Sequence, residues 1–233
     1  MLSYDSSVPV PGQQAPKADI VTNGMGSQVS ASPVSNFNSA MSSSTPPGKY
    51  NHHHIWLVTG PAGCGKTSVA EHLAGVLSMP YIEGDSFHTA ANVEKMRNGT
   101  PLTDADRWDW LTALREESMH RIHGGSDGVV LTCSALKRKY RDVIRVAAYY
   151  DPHLLIHFIY LDATEETLLQ RVAARKGHYM GANMVHSQFA DLERPMDDEK
   201  DVIKVDVGQP LDGVKTEAAN KVLDLMNRDV KPE

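Results

Sequence analysis

From residue 55 onward, short apolar runs alternate with segments whose apolar residues recur at helical spacing. Ile55 to Thr59 reads as a buried strand, and Lys66 to Leu77 as a helix with Val69, Leu73, Val76 and Leu77 on one face. Met79 to Glu83 is a second short strand, and Thr89 to Arg97 a short helix. A longer helix is predicted from about Asp104 to His123, with Trp108, Leu111, the Arg115 stem, Ser118 and Ile122 at helical spacing. Gly128 to Cys133 (GVVLTC) is a continuous apolar strand, followed by a basic helix through Ala148. Leu154 to Leu161 is another strand, and Thr164 to Lys176 a helix whose Glu165 and Glu166 suit the positive end of the helix dipole. Val202 to Val207 is the last strand and Leu211 to Asn227 the last helix. Val185, Phe189 and Leu192 also share helical spacing and read as core packing rather than an interface. Five apolar strands alternating with helices predict an α/β fold, a five-stranded parallel sheet with helices on both faces. In such a sheet the ligand belongs at the C-terminal ends of the strands.

The first 50 residues lack this pattern. They hold 11 Ser, 6 Pro and 4 Gly but only four charged residues, Asp5, Lys17, Asp19 and Lys49. Too little apolar surface is available there to offset chain entropy, so residues 1–50 read as a disordered Ser/Pro-rich tail and 51–233 as a compact body. The tail's charges cancel, and the whole net charge of -6 therefore falls on the body. That charge argues against a general nucleic-acid binder and requires any bound anion to be held locally. No apolar run is long enough to span a bilayer, and Cys64 and Cys133 are too few for a disulfide scaffold, so a cytoplasmic protein with no membrane partner is expected. His52, His53 and His54 stand where tail meets body. Adjacent side chains diverge and no carboxylate or cysteine lies nearby in sequence, so they read as surface histidines rather than a metal site.

Between the first strand and first helix stands Gly60-Pro61-Ala62-Gly63-Cys64-Gly65-Lys66-Thr67, a full match to G-x-x-x-x-G-K-[ST]. The glycines let backbone amides close on phosphate oxygens and the helix N-terminus adds positive potential. Lys66 reaches the β- and γ-phosphates, and the Thr67 hydroxyl is suited to Mg²⁺. The fold class is thus a P-loop NTPase fold. A guanine-reading N-K-x-D is missing, since Asn220-Lys221-Val222-Leu223 lacks the Asp. After the second strand comes Glu83-Gly84-Asp85-Ser86-Phe87-His88, where Asp85 is placed to orient or accept the proton of an attacking hydroxyl. His88 and Arg107 are candidates to touch the acceptor. Two basic runs stand out in the acidic body. Lys137 and Arg141 are four apart, with Arg145 a turn further. Arg171 and Arg175 are likewise i and i+4, ahead of His178 and of Gly177 and Gly181, which read as hinges of a helical lid. Arginine's planar fork suits both a carboxylate and a developing phosphoryl charge.

Taken together, Gly60 to Ser68, Glu83 to His88, Asn92 to Leu111, Cys133 to Asp142 (CSALKRKYRD), Arg175 to Met180, Ser187-Gln188-Phe189 and Val205 to Leu211 resemble the gluconokinase family over essentially all of residues 55 to 227. The resemblance implies a nucleoside-monophosphate-kinase-like fold and transfer of the γ-phosphate of ATP, with Mg²⁺, to the 6-hydroxyl of D-gluconate. It implies a nucleotide site of Gly60, Ala62, Gly63, Cys64, Gly65, Lys66, Thr67 and Ser68, with Gln209 and Pro210 on the loop that wraps adenine in related small kinases. Asp85, His88, Arg107, Lys137, Arg141 and His178 are implied for the acid, and Lys66, Asp85, Arg171 and Arg175 for catalysis. Family members often form dimers, so a homodimer is an expectation. Position 83 is Glu where many members have Asp, which leaves it outside the expected set. Two alternatives stand beside this reading: a kinase of another small hydroxy acid such as shikimate, and a nucleotide-binding module without transfer.

Overall fold

The five apolar runs pair into one sheet. The computed structural model describes residues 50–174 and 182–231, all within one contact unit spanning 42–233. The elements run β1 (His53–Thr59), α1 (Lys66–Leu77), β2 (Tyr81–Ile82), a single 3-10 turn (Gly84–Phe87), α2 (Ala90–Arg97), α3 (Asp104–His123) and β3 (Gly128–Thr132). They continue through α4 (Arg138–Tyr150), β4 (Leu154–Asp162), α5 (Glu165–Ala174), α6 (Ala182–Asp191), β5 (Val202–Asp206) and α7 (Leu211–Arg228). The predicted tail lies outside the described residues except for Tyr50, as do Arg175 to Gly181, the stretch read as a lid.

The strand order is β2-β3-β1-β4-β5 with every pairing parallel. β1 is central, and successive residues enter opposite layers. Trp56 and Val58 join Val69 and Leu73 of α1, Leu168 of α5, Val185 of α6 and Val214 and Val222 of α7. Ile55 and Leu57 join Leu111 and Leu114 of α3 and Tyr140 and Ile144 of α4. Both faces of the central strands are covered, which is why β1 and β3 carry no polar alternation, whereas the edge strand β5 exposes Lys204 and Asp206 around buried Val205. Because the chain leaves β1 for the far strand β2 and returns to β3 before crossing to β4, the strand order reverses at β1. The segments that follow β1, β2 and β3 therefore share one end of the sheet.

Some expectations are corrected. The buried face of α3 is Trp110, Leu111, Leu114, Ser118 and Ile122, whereas Trp108 is exposed. The cause is a competing hydrogen bond, since the Trp110 indole donates to the Gly84 carbonyl at 2.7 Å and pins that face to the turn after β2. In α1, Val76 is exposed and Ala70 and Ala74 are buried instead. The helical spacing of Val185 and Phe189 is realised in α6, where Val185 is fully buried and Phe189 packs on the same core.

The three histidines are not a uniform surface group. His54 is buried, with Nε2 3.1 Å from Asp229 and Nδ1 3.2 Å from His157, and His52 Nδ1 lies 2.6 Å from the other Asp229 oxygen. The partner missing from the local sequence arrives from the end of α7, and it clamps the two ends of the described chain together. Burial pushes His54 below its usual range and takes His157 to about 4, so both rings are neutral near pH 7. Among the described residues no helix is long and apolar enough to cross a membrane.

Candidate active site

The loop after β1 is a cradle of backbone. Gly60, Gly63 and Gly65 have φ of 142°, 84° and 102°, values that only glycine adopts without strain. A side chain at Gly60 would also meet Cys64 Sγ and the Leu161 carbonyl, each at 3.0 Å. Helix α1 starts straight from Gly65 with no side-chain cap, leaving its first amides for a ligand. Lys66 Nζ donates to the carbonyls of Gly60 (3.0 Å) and Pro61 (3.2 Å), so the ammonium arches back over the loop. Three later elements wall the cradle. A side chain at Gly63 would sit 3.5 Å from Val172 of α5, and one at Gly65 would sit 3.5 Å from Leu211 of α7. The Ala62 amide donates to Gln188 of α6 at 2.6 Å.

Beside the cradle, Glu83 is the hub of a polar cluster. Thr132 donates to Oε1 at 2.6 Å, while Oε2 accepts from the Tyr81 hydroxyl and from Thr67 at 3.2 Å. Burial pushes the Glu83 carboxyl up, but hydrogen bonds from Thr132, Tyr81 and Thr67 outweigh it and hold the group ionised below its usual range. The Thr67 hydroxyl and the Glu83 carboxylate are hard oxygen donors next to the Lys66 end of the loop, the chemistry that Mg²⁺ requires. The Glu83 side chain thus reaches Tyr81, Thr132 and Thr67 together. Gly84 must be glycine here, because a Cβ would lie 1.9 Å from the Thr132 carbonyl.

The 3-10 turn presents Asp85 with its side chain 80% exposed, open to an incoming group. His88 stacks on Trp110 at 4.1 Å, its Nε2 4.0 Å from Asp85. Its buried Nδ1 has no partner, and burial lowers its pKa so that the ring stays neutral. Arg107 is half-buried. It reaches the Leu102 carbonyl at 3.3 Å and the Tyr140 ring at 5.4 Å, while its buried Nε is also unpartnered. Lys137, 6.0 Å from the same ring, pairs with Asp191 of α6 at 2.9 Å. Cys133, directly after β3, is buried, and that burial raises its thiol to about 12.

Arg141 is a correction. It is buried, with Nε and Nη2 donating to the two oxygens of Glu199 at 2.8 and 2.6 Å and Nη1 to the carbonyls of Ala135, Leu136 and Glu193. All three nitrogens are engaged inside the protein and the side chain is only 2% exposed, so the guanidinium does not face a ligand. Its work is to brace the loop after β3, where Ala135 is held at φ 35°. Arg145 completes the same cluster through Asp201, Glu199 and Asp142. Arg171 donates to the Val207 carbonyl at 2.5 Å, which ties α5 to the turn before α7. In that turn Gln209 donates to the Asp206 carbonyl and to Glu217, and Pro210 precedes α7. Arg175 and His178 lie outside the described residues.

A sequence described as a probable gluconokinase from Schizosaccharomyces pombe is 45% identical over 182 residues, covering 78% of this chain and 94% of that protein. The chain belongs to the gluconokinase family. The thermoresistant gluconokinase of Escherichia coli K12 is 42% identical over 167 residues, 70% of this chain and 91% of that one. A solved gluconokinase from Sinorhizobium meliloti superposes with a TM-score of 0.66 at 38% identity, covering 77% of this chain and 96% of its own. A family model described as an AAA domain matches residues 55–197. As a gluconokinase-family member the chain is an ATP-dependent phosphotransferase, and the alternative of a binding module without transfer falls away. Sequence reasoning gave no role to Glu83, Tyr81, Thr132 or Gln188. Gln188 lay within the quoted Ser187-Gln188-Phe189, but nothing local shows which distant amide it meets.

Proposed function

We propose that the protein transfers the γ-phosphate of ATP to the 6-hydroxyl of D-gluconate, giving 6-phosphogluconate and ADP. The observation that carries this reading is the open Asp85 on the turn that follows Glu83, which is itself hydrogen-bonded to Thr67 of the cradle, with His88 of that turn stacked on Trp110 of α3, the helix that carries Arg107 and its unpartnered buried Nε. A sugar acid needs that combination. Its hydroxyl must meet a proton acceptor beside the transferring phosphoryl group, and its carboxylate must meet a cation.

In this reading the amides from Gly63 to Ser68 and the Lys66 ammonium hold the phosphates, and Gln209 and Pro210 border the adenine. The Thr67 hydroxyl, with Glu83 beside it, would hold Mg²⁺, which would supply positive charge to the phosphates. Asp85 orients the 6-hydroxyl and takes its proton. Neutral His88 and cationic Arg107 supply donors for the acid's oxygens, with Lys137 nearby, and Arg171 adds positive charge at the cradle. Catalysis is then mainly positioning and electrostatics.

Coupled ADP release measured over a panel of sugar acids and hydroxy acids, shikimate included, tests this. Gluconate is expected to give the highest kcat/KM, and turnover of gluconate no faster than ATP hydrolysis without any acceptor would overturn it.

A further inference from the structure

The cradle's amides exist to meet an anion, yet one of them, Ala62 N–H, is already taken by a side chain 126 residues further along the chain. Gln188 Oε1 accepts this hydrogen bond at 2.6 Å, Ala62 is buried, and Val185 and Phe189 anchor α6 in the core that also contains Cys64. The contact is therefore a built one. Its chemistry is specific too: a side-chain amide offers a carbonyl acceptor with no net charge. A carboxylate would accept from the same N–H more strongly, but it would set a negative charge beside the place where phosphates bind. An apolar side chain would leave the amide buried without a partner.

We propose that Gln188 is a positioning residue of the phosphate cradle. Its neutral carbonyl fixes the Ala62 peptide so that the neighbouring amides face the nucleotide, and it ties the seating of α6 to the shape of the loop. The proposal rests on the nucleotide-binding reading of this loop but not on the identity of the acceptor acid. Gln188 acts through the loop backbone, and no contact with the reacting atoms is assigned to it.

The test compares Gln188→Glu and Gln188→Leu by calorimetric ADP binding, by the KM values for ATP and gluconate, and by melting temperature. Gln188→Glu preserves size and the acceptor, so a merely structural role predicts wild-type ADP affinity. Cradle positioning beside the phosphates predicts that ADP affinity and the ATP KM each worsen by about tenfold, the scale of one unfavourable nearby charge. The gluconate KM stays within about twofold, and added salt reduces the loss. Gln188→Leu, which orphans the Ala62 amide, is expected to weaken ADP by about fivefold without the salt dependence. Wild-type ADP affinity in the folded Glu variant, or in the folded Leu variant should the Glu variant not fold, overturns the proposal. Because ADP binding needs no acceptor, a failure of gluconate turnover with altered ADP affinity would discard the substrate assignment and keep Gln188.

Discussion

Arg107 and Arg141 lie on the two helices that pack against the same face of the sheet, and the difference between them separates a residue that serves the fold from one we propose for the acceptor. Arg141 spends its guanidinium entirely inside the protein. Glu199 takes two bonds, three carbonyls share the third nitrogen, and both charged side chains are almost fully buried, at 2% and 1% exposed. Arg107 makes one long bond to a carbonyl and leaves a buried Nε without a partner. Buried donors are nearly always satisfied, so the orphaned Arg107 Nε and the orphaned His88 Nδ1 support the proposal that a ligand's oxygens belong there. What distinguishes the two arginines is the state of their hydrogen bonds, not their residue type or their placement on a helix.

The comparison can be broken most sharply on the site side. Asp85→Asn keeps the shape of the turn but removes the proton acceptor, and kcat is expected to fall by about 10³ with a melting temperature near wild type. Rates within a few fold of wild type would take Asp85 out of the mechanism.

On the structural side, Arg141→Met leaves the Glu199 carboxylate buried without its main partner. This is expected to cost about 3–5 kcal/mol, or on the order of 10 °C in melting temperature, while the protein that remains folded keeps its gluconate KM within about twofold. A stable Arg141→Met variant with a greatly raised gluconate KM would restore Arg141 to the substrate site.

Arg107→Met should do the reverse. The gluconate KM is expected to rise by about tenfold or more, the ATP KM to stay unchanged, and the melting temperature to move by no more than a few degrees.

The smallest effect is one of pH. Burial raises the Glu199 pKa, but the bonds from Arg141 and Arg145 win and hold it at about 2, below its usual 4.5. A depressed folded pKa contributes stability that is complete above the unfolded value and is lost as pH falls from about 4.5 toward 2. Melting curves between pH 6 and pH 3 should therefore fall less steeply for Glu199→Gln than for wild type. Equal slopes would show that Glu199 does not carry this part of the acid sensitivity.

Local chemistry made a good part of this molecule readable. The phosphate cradle is contiguous, and its glycines are demanded by the backbone's own φ angles. The buried strands declare themselves because a parallel sheet covered on both faces leaves no polar alternation. Asp85 was legible because it follows a strand end directly. Legibility stopped where a side chain's meaning depends on a partner far along the chain. Lys137, Arg141 and Arg145 share a helical face and look like one cationic patch. Segment 193–201 then folds across them and consumes Arg141 and Arg145, leaving Lys137, paired with Asp191, near Arg107. The three histidines looked like a surface run for the same reason, since Asp229 lies 175 residues beyond His54.

The sequence by itself determined the parallel α/β architecture, the cradle and the reactive end of the sheet, because each follows from periodicity or from consecutive residues. Only the tertiary structure decided which cations remain for a ligand, that Glu83 reaches Tyr81, Thr132 and Thr67 together, and that Gln188 closes on Ala62. Those depend on which buried donors and acceptors find each other across long separations, and the burial that makes an unpaired group costly is itself a product of the fold.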